Sequence, residues 1–202
     1  MICSAVPRVL PALALLALLT ACGGASAPRN VADLTNPFLG PEYSSWLIGA
    51  VSRLATPEEI QGYLAVGDDA AAEAFIRQFW ERRDPSPAQP GNAVLEAFNE
   101  RSAQADKAFS EAGYLGRRTD RGTIHVLYGP PTKTDFDVLT AGVPIEVWTY
   151  EAAKASAGLD GKRPAGSYRF VKSGDLTVLY RPGHPDPRLR NRPGIPPGPD
   201  FF

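Results

Sequence analysis

The feature that most constrains this chain is a change of hydrophobic period near Gly113. Before it, apolar residues recur at helical spacing. After it, they fall in short runs suited to strands. Helices followed by a run of strands predict an α+β domain with a mainly antiparallel sheet, since strands joined without intervening helices pair as a meander. The helical half reads in four segments. Tyr43 to Ala55 sets Trp46, Leu47, Val51 and Leu54 on one face. Thr56-Pro57-Glu58-Glu59 is a capping box with Pro at the first helical position. Asp68 or Asp69 starts a third helix whose apolar face carries Ala72, Phe75, Ile76, Phe79 and Trp80. Asn92 starts a fourth, of about 20 residues, with Val94, Leu95, Phe98, Ala105, Phe109 and Ala112 on one face and Gly113 at its end. Four strands are expected, at Thr123 to Tyr128, Ile145 to Tyr150, Ser167 to Val171 and Leu176 to Tyr180, the last two joined as a hairpin.

The chain opens with a single charge, Arg8, and an apolar run from Val9 to Leu19. Eleven residues rise about 16 Å as helix, well short of a ~30 Å hydrocarbon core. The run therefore reads as the apolar region of an export signal. It is followed by Leu19-Thr20-Ala21-Cys22-Gly23, which resembles the lipobox of bacterial type II signal peptides. The resemblance implies cleavage before Cys22 and a thioether-linked diacylglyceryl group on its sulfur. More than one acyl chain on Cys22 anchors a protein stably, where a single chain binds only marginally. Gly23 stands where Asp would signal retention in the inner membrane, so the resemblance implies the outer membrane, facing the periplasm.

The only cysteines are Cys3 and Cys22. A chain starting at a lipidated Cys22 has neither a free thiol nor a disulfide, which excludes thiol catalysis and Cys-based zinc sites. It carries 20 basic side chains against 22 acidic, a net charge of −2. That balance argues against nucleic acid as a partner. The expected organisation is a signal peptide over 1–21, a lipidated flexible tether over 22–42, an α+β domain over 43–181 and a Pro-rich tail over 182–202. The stretch from Arg181 onward has seven prolines and three glycines, which rules out continuing a sheet. It reads as a disordered end or as a segment for a partner.

Several ordered motifs resemble the GWxTD domain. Phe79-Trp80-Glu81-Arg82-Arg83-Asp84-Pro85 matches its FW-x-x-RDP element, and the helix with Asn92, Phe98, Arg101, Ala105 and Phe109 matches the one that follows. Gly116-Arg117-Arg118-Thr119-Asp120-Arg121-Gly122 stands where the family has G-W-x-T-D-R-G, and Ile124 to Pro131 and Glu146 to Tyr150 continue the match. The resemblance spans roughly residues 43 to 180. Arg117 replaces the signature Trp. The family carries no established activity, so the resemblance implies a domain without naming its task.

No H-E-x-x-H, G-x-S-x-G or P-loop occurs. The set Asp120, His125, Asp135 and Asp137 matches no ligand spacing, so no metal site and no cofactor is expected. Gly116, Thr119, Asp120, Arg121 and Gly122 read as structural. Thr119 and Asp120 are turn residues bonding local N–H groups, Gly122 supplies a φ that other residues resist, and Arg121 or Arg101 pairs with Asp120 or Asp84. Trp80, Tyr128, Trp148, Tyr150, Tyr168 and Phe170 read as core. The functional expectation is a non-enzymatic, lipid-anchored accessory protein that contacts an envelope partner. The alternative is an envelope enzyme or carbohydrate-binding module with a cleft near Thr119 to His125.

Overall fold

In the computed structural model, the structure describes residues 31–138 and 143–180. The signal segment, Cys22 and the tail expected over 182–202 lie outside the described residues. Among the described residues, six α-helices precede four strands: α1 Pro41–Ser44, α2 Val51–Leu54, α3 Pro57–Leu64, α4 Asp69–Glu81, α5 Ala93–Phe109, α6 Asp120–Tyr128, then β1 Lys133–Val138, β2 Pro144–Thr149, β3 Ser167–Ser173 and β4 Leu176–Leu179. The sheet is an antiparallel meander, β1-β2-β3-β4, with Lys133 opposite Thr149, Ile145 opposite Val171 and Phe170 opposite Leu179. Gly174, at φ 64°, makes the β3–β4 turn. The α+β class, the meander and the hairpin are as the sequence predicts.

The caps explain where the helices begin. Thr56 and Glu59 form the reciprocal capping box of α3. Asp68 accepts from the Ala71 N–H to start α4. Asn92 accepts from the N–H groups of Val94 and Leu95 to start α5, and its amide donates to the Trp80 carbonyl, fixing α5 against the end of α4.

Four expectations are corrected. Thr123 to Tyr128 is not a strand: it belongs to α6, and the remaining strand is β1, at Lys133–Val138. Its β-branched residues favour a strand locally, but Thr119 caps a helix there, and Gly129 at φ 77° ends it. Val126 and Leu127 are both buried, so the segment has no exposed face to reveal its period. The helix expected over Tyr43 to Ala55 is broken into α1 and α2. Gly49 sits between them at φ 90°, pressed against the Arg117 carbonyl. The fourth helix ends at Phe109, short of Gly113, so Ala112, expected on its apolar face, lies outside it at φ 51°. Finally, the packed region begins before residue 43. Leu34, Asn36 and Leu39 are buried. The Asn36 amide donates to the carbonyls of Tyr63 and Val66, and the Gly40 N–H donates to Asp69.

The core forms three connected parts. Leu47, Val51, Ile60, Tyr63, Phe79 and Trp80 fill the space among α2, α3 and α4. Ala50, Ala105, Val126 and Leu127 join α5 to α6. Ile124, Trp148, Tyr150 and Phe170 join α6 to the sheet. Thus α6 is the layer between helices and sheet, buried on both sides. The other face of the sheet carries Ile145, Val147, Val171 and Val178. No helix among the described residues is long and apolar enough to cross a membrane.

Candidate functional site

The segment from Gly116 to Gly122 lies where α5, α6 and the sheet meet, and its residues hold those elements together. Gly116 opens a 3-10 turn, Gly116–Arg118. A side chain on Gly116 would overlap the Ala105 carbonyl on α5, and one on Gly122 would overlap the Gly116 carbonyl. Gly122 is helical and does not appear among the positive-φ residues. Its role is therefore close approach, and not the special φ expected of it.

Thr119 Oγ1 donates to the Gly116 carbonyl at 2.8 Å and accepts from the Gly122 N–H at 3.1 Å. One hydroxyl thus ties the 3-10 turn to the first turn of α6. Asp120, at the first position of α6, accepts not from a local N–H, as expected of it, but from the distant Leu179 N–H of β4 at 2.6 Å. A carboxylate there also complements the helix dipole. Arg121 pairs with Glu111 at 3.1 Å and Glu146 at 3.2 Å, and not with Asp120 or Asp84. Glu111 in turn accepts from the N–H and hydroxyl of Thr177, and Glu146 accepts from the Trp148 indole. Through two carboxylates, Arg121 connects α6 to β2 and β4. Arg101 donates to the carbonyls of Val126 and Leu127, capping α6 from α5. Asp84 accepts from the Ser86 N–H.

The FW-x-x-RDP segment has a similar structural part. Arg83 lies over the Phe79 ring at 3.5 Å and donates to Glu59 and to the carbonyls of Leu54 and Phe79. It therefore joins the ends of α2, α3 and α4. Burial alone would raise the Glu59 pKa. Hydrogen bonds from Arg83, the Thr56 N–H and Arg82 overcome that and hold it at about 2.

The interval from Thr119 to His125 forms no open cleft, because Thr119, Gly122, Ile124 and His125 are all buried. His125 meets the Gln104 amide through Nε2 at 3.0 Å, and its Nδ1 has no partner among the described residues. Burial, with the Arg101 cation nearby, lowers its pKa. The described residues bring no three His, Cys, Asp or Glu side chains into a group that could hold a metal.

Two concavities stand out among the described residues. The first, about 360 Å³, lies at the C-terminal end of α6 beside Arg101, Tyr128, Gly129, Tyr150 and Lys154. Its inward groups serve the fold: the Tyr150 hydroxyl donates to the Gly129 carbonyl and the Tyr128 hydroxyl to Asp160. Burial raises both phenol pKa values. The second, about 570 Å³, is an apolar groove between α4 and α5, floored by Trp46, Ile76, Trp80, Leu95 and Phe98. The sequence places Trp46 and Phe98 on apolar helix faces and Trp80 in the core. Trp80 is buried, but Trp46 and Phe98 keep part of their surface open. Arg117 stands on the rim of this groove, its backbone N–H and Nε held by Asp106 at 2.8 and 2.7 Å.

The aromatics expected in the core divide in the same way. Trp148, Tyr150 and Phe170 are buried, while Tyr128 and Tyr168 are half-buried and stack at 6.0 Å. Exposed apolar side chains lie elsewhere, with Phe136 and Val138 on β1 at 79% and 64% exposure.

No curated protein and no solved structure matches the chain significantly. The family model for the GWxTD domain matches residues 34–161, more than half of the sequence. Its start agrees with the packing of Leu34, Asn36 and Leu39, and it encloses the Arg83 junction and the Gly116 to Gly122 junction. The chain belongs to the GWxTD domain family.

Proposed function

We propose that this GWxTD protein is a non-enzymatic interaction module of the bacterial envelope, anchored through an acylated Cys22 to the outer membrane and facing the periplasm. The observation that carries the reading is β1. It is an edge strand, and it exposes Phe136 and Val138. Exposed apolar side chains on an unpaired edge are the features that strand addition by a partner uses. The partner of this reading is an envelope protein that adds an extended segment along Lys133 to Val138 and covers Phe136. The motif residues support the reading in a second way: Thr119, Asp120 and Arg121 direct their polar atoms to other parts of the same chain.

The anchor rests on Leu19-Thr20-Ala21-Cys22 and its apolar run. It is tested by fractionation and palmitate labelling: the chain should partition with membranes and take up label, and Cys22→Ala should abolish both. The surface is tested by placing a photo-cross-linker at Phe136 in intact cells, with one at exposed Glu58 as control. One envelope protein captured from 136, absent from 58 and lost when Val138 is changed to Asp, is the expected result. Identical capture from both positions, or none from either, overturns the edge as the contact.

A further inference from the structure

We infer that the apolar groove between α4 and α5 is the docking site of the chain's own segment 181–202. The groove offers an aromatic floor. Trp80 and Phe98 lie 4.7 Å apart between ring centroids, tilted by 51°, with Trp46 from the turn before α2 beside them. Partly open aromatic walls of this kind take proline rings, because a proline-rich chain is already extended and loses little entropy on docking.

The charges on the rim select the sign of the ligand. Glu73, Glu81 and Asp84 face Arg77 and Arg117 there. Arg77 is paired with Glu81 and Arg117 with Asp106. Glu73 and Asp84 have no cationic partner among the described residues, so the groove favours a basic peptide. Segment 181–202 has that chemistry. It contains seven prolines and Arg181, Arg188, Arg190 and Arg192 against Asp186 and Asp200, a net charge of +2. Leu189 lies inside the basic cluster, between Pro187 and Pro193.

Proximity favours this occupant over a separate peptide. The Leu179 N–H at the end of β4 is held by Asp120, and Asp120 is three residues from Arg117 on the groove rim. Three residues span at most about 11 Å. The described chain therefore ends within reach of the groove, and 22 further residues can extend to roughly 70 Å at the polyproline rise. A tether of this length holds the segment at a millimolar effective concentration, so even a weak contact is populated.

The test uses the full chain with a benzophenone amino acid in place of Leu189, irradiated and mapped by mass spectrometry. Cross-links within one chain to residues of α4 and α5 between 73 and 98 are expected. Glu73→Lys with Asp84→Asn, both at the rim and outside the core, should reduce them at least fivefold. Arg188→Glu with Arg190→Glu should do the same in the wild-type groove and restore the cross-link in the charge-changed groove. Circular dichroism verifies that each variant is folded. Cross-links between chains, to another protein, to Val147 or Val178 on the outer sheet face, or indifferent to the charge changes overturn the inference.

Discussion

A side chain on Gly122 would overlap the carbonyl oxygen of Gly116, six residues earlier in the chain. These two glycines bring the first turn of α6 against the 3-10 turn, and Gly116 repeats the contact with Ala105 on α5. Gly122→Ala should therefore cost about 3 kcal/mol or more, because backbone and not a flexible side chain must give way. Gly67→Ala is the control, since nothing lies within 4 Å of a Cβ there and its φ is ordinary. Urea denaturation should place the first variant far below wild type and the second within about 0.5 kcal/mol of it. Equal midpoints for the two would refute close packing as the reason for Gly122.

Asp120 and Leu179 supply a second test. Asp120→Ala removes the acceptor for the Leu179 N–H and a carboxylate from the first turn of α6. A loss of about 1–2 kcal/mol is expected, smaller than for a buried pair because this bond is exposed to water. Asp120→Asn keeps an acceptor at that place and should recover about half. A variant that keeps wild-type stability yet loses a cellular phenotype would reverse the structural assignment of Asp120.

The helix caps and the α+β order were legible because they are written locally: Thr56 with Glu59, Asp68 and Asn92 each mark a helix start by the chemistry of one or two side chains. Segment 123 to 128 was not. Thr123, Ile124 and Val126 favour a strand, and it takes burial on two sides by α5 and the sheet, together with the Thr119 cap, to make the helix hold. β1 was missed for the opposite reason: Lys133-Thr134-Asp135-Phe136-Asp137-Val138 is an edge strand with a largely exposed surface, so it lacks a hydrophobic signal. At the motif, the local cap made by Thr119 could be read from residue type, but the partner of Asp120 could not, because Leu179 lies 59 residues away on β4. The partners of Arg121 could not, because Glu111, just after α5, and Glu146, on β2, lie 10 and 25 residues away and meet it only once the chain has folded.

Glu59 gives the fold a dependence on acid. Its folded pKa, about 2, lies below the ordinary carboxylate value of 4.5. Its contribution is complete above the unfolded value and is lost as pH falls from about 4.5 toward 2. Allowing for solvent screening at Arg82, the contribution is about 1–2 kcal/mol. Glu59→Gln should lower stability at pH 7 by that amount and flatten the stability profile between pH 4.5 and 2. An unchanged acid slope in the variant would assign the dependence to other carboxylates.

His125 acts in a higher window. Burial and the Arg101 cation place its folded pKa below the ordinary 6.5. The unfolded chain therefore takes up the proton first, and stability falls as pH drops below 6.5, until the folded value is reached. At pH 7.5 the ring is neutral in both states and the term vanishes. His125→Leu should remove the loss of urea midpoint between pH 7.5 and 5.5 while leaving the Glu59 limb in place. The chain has one other histidine, His184, so His184→Ala is the natural control and should leave the slope unchanged. Persistence of the full slope in His125→Leu, or its disappearance in His184→Ala, would show that protonation of the buried ring is not its origin.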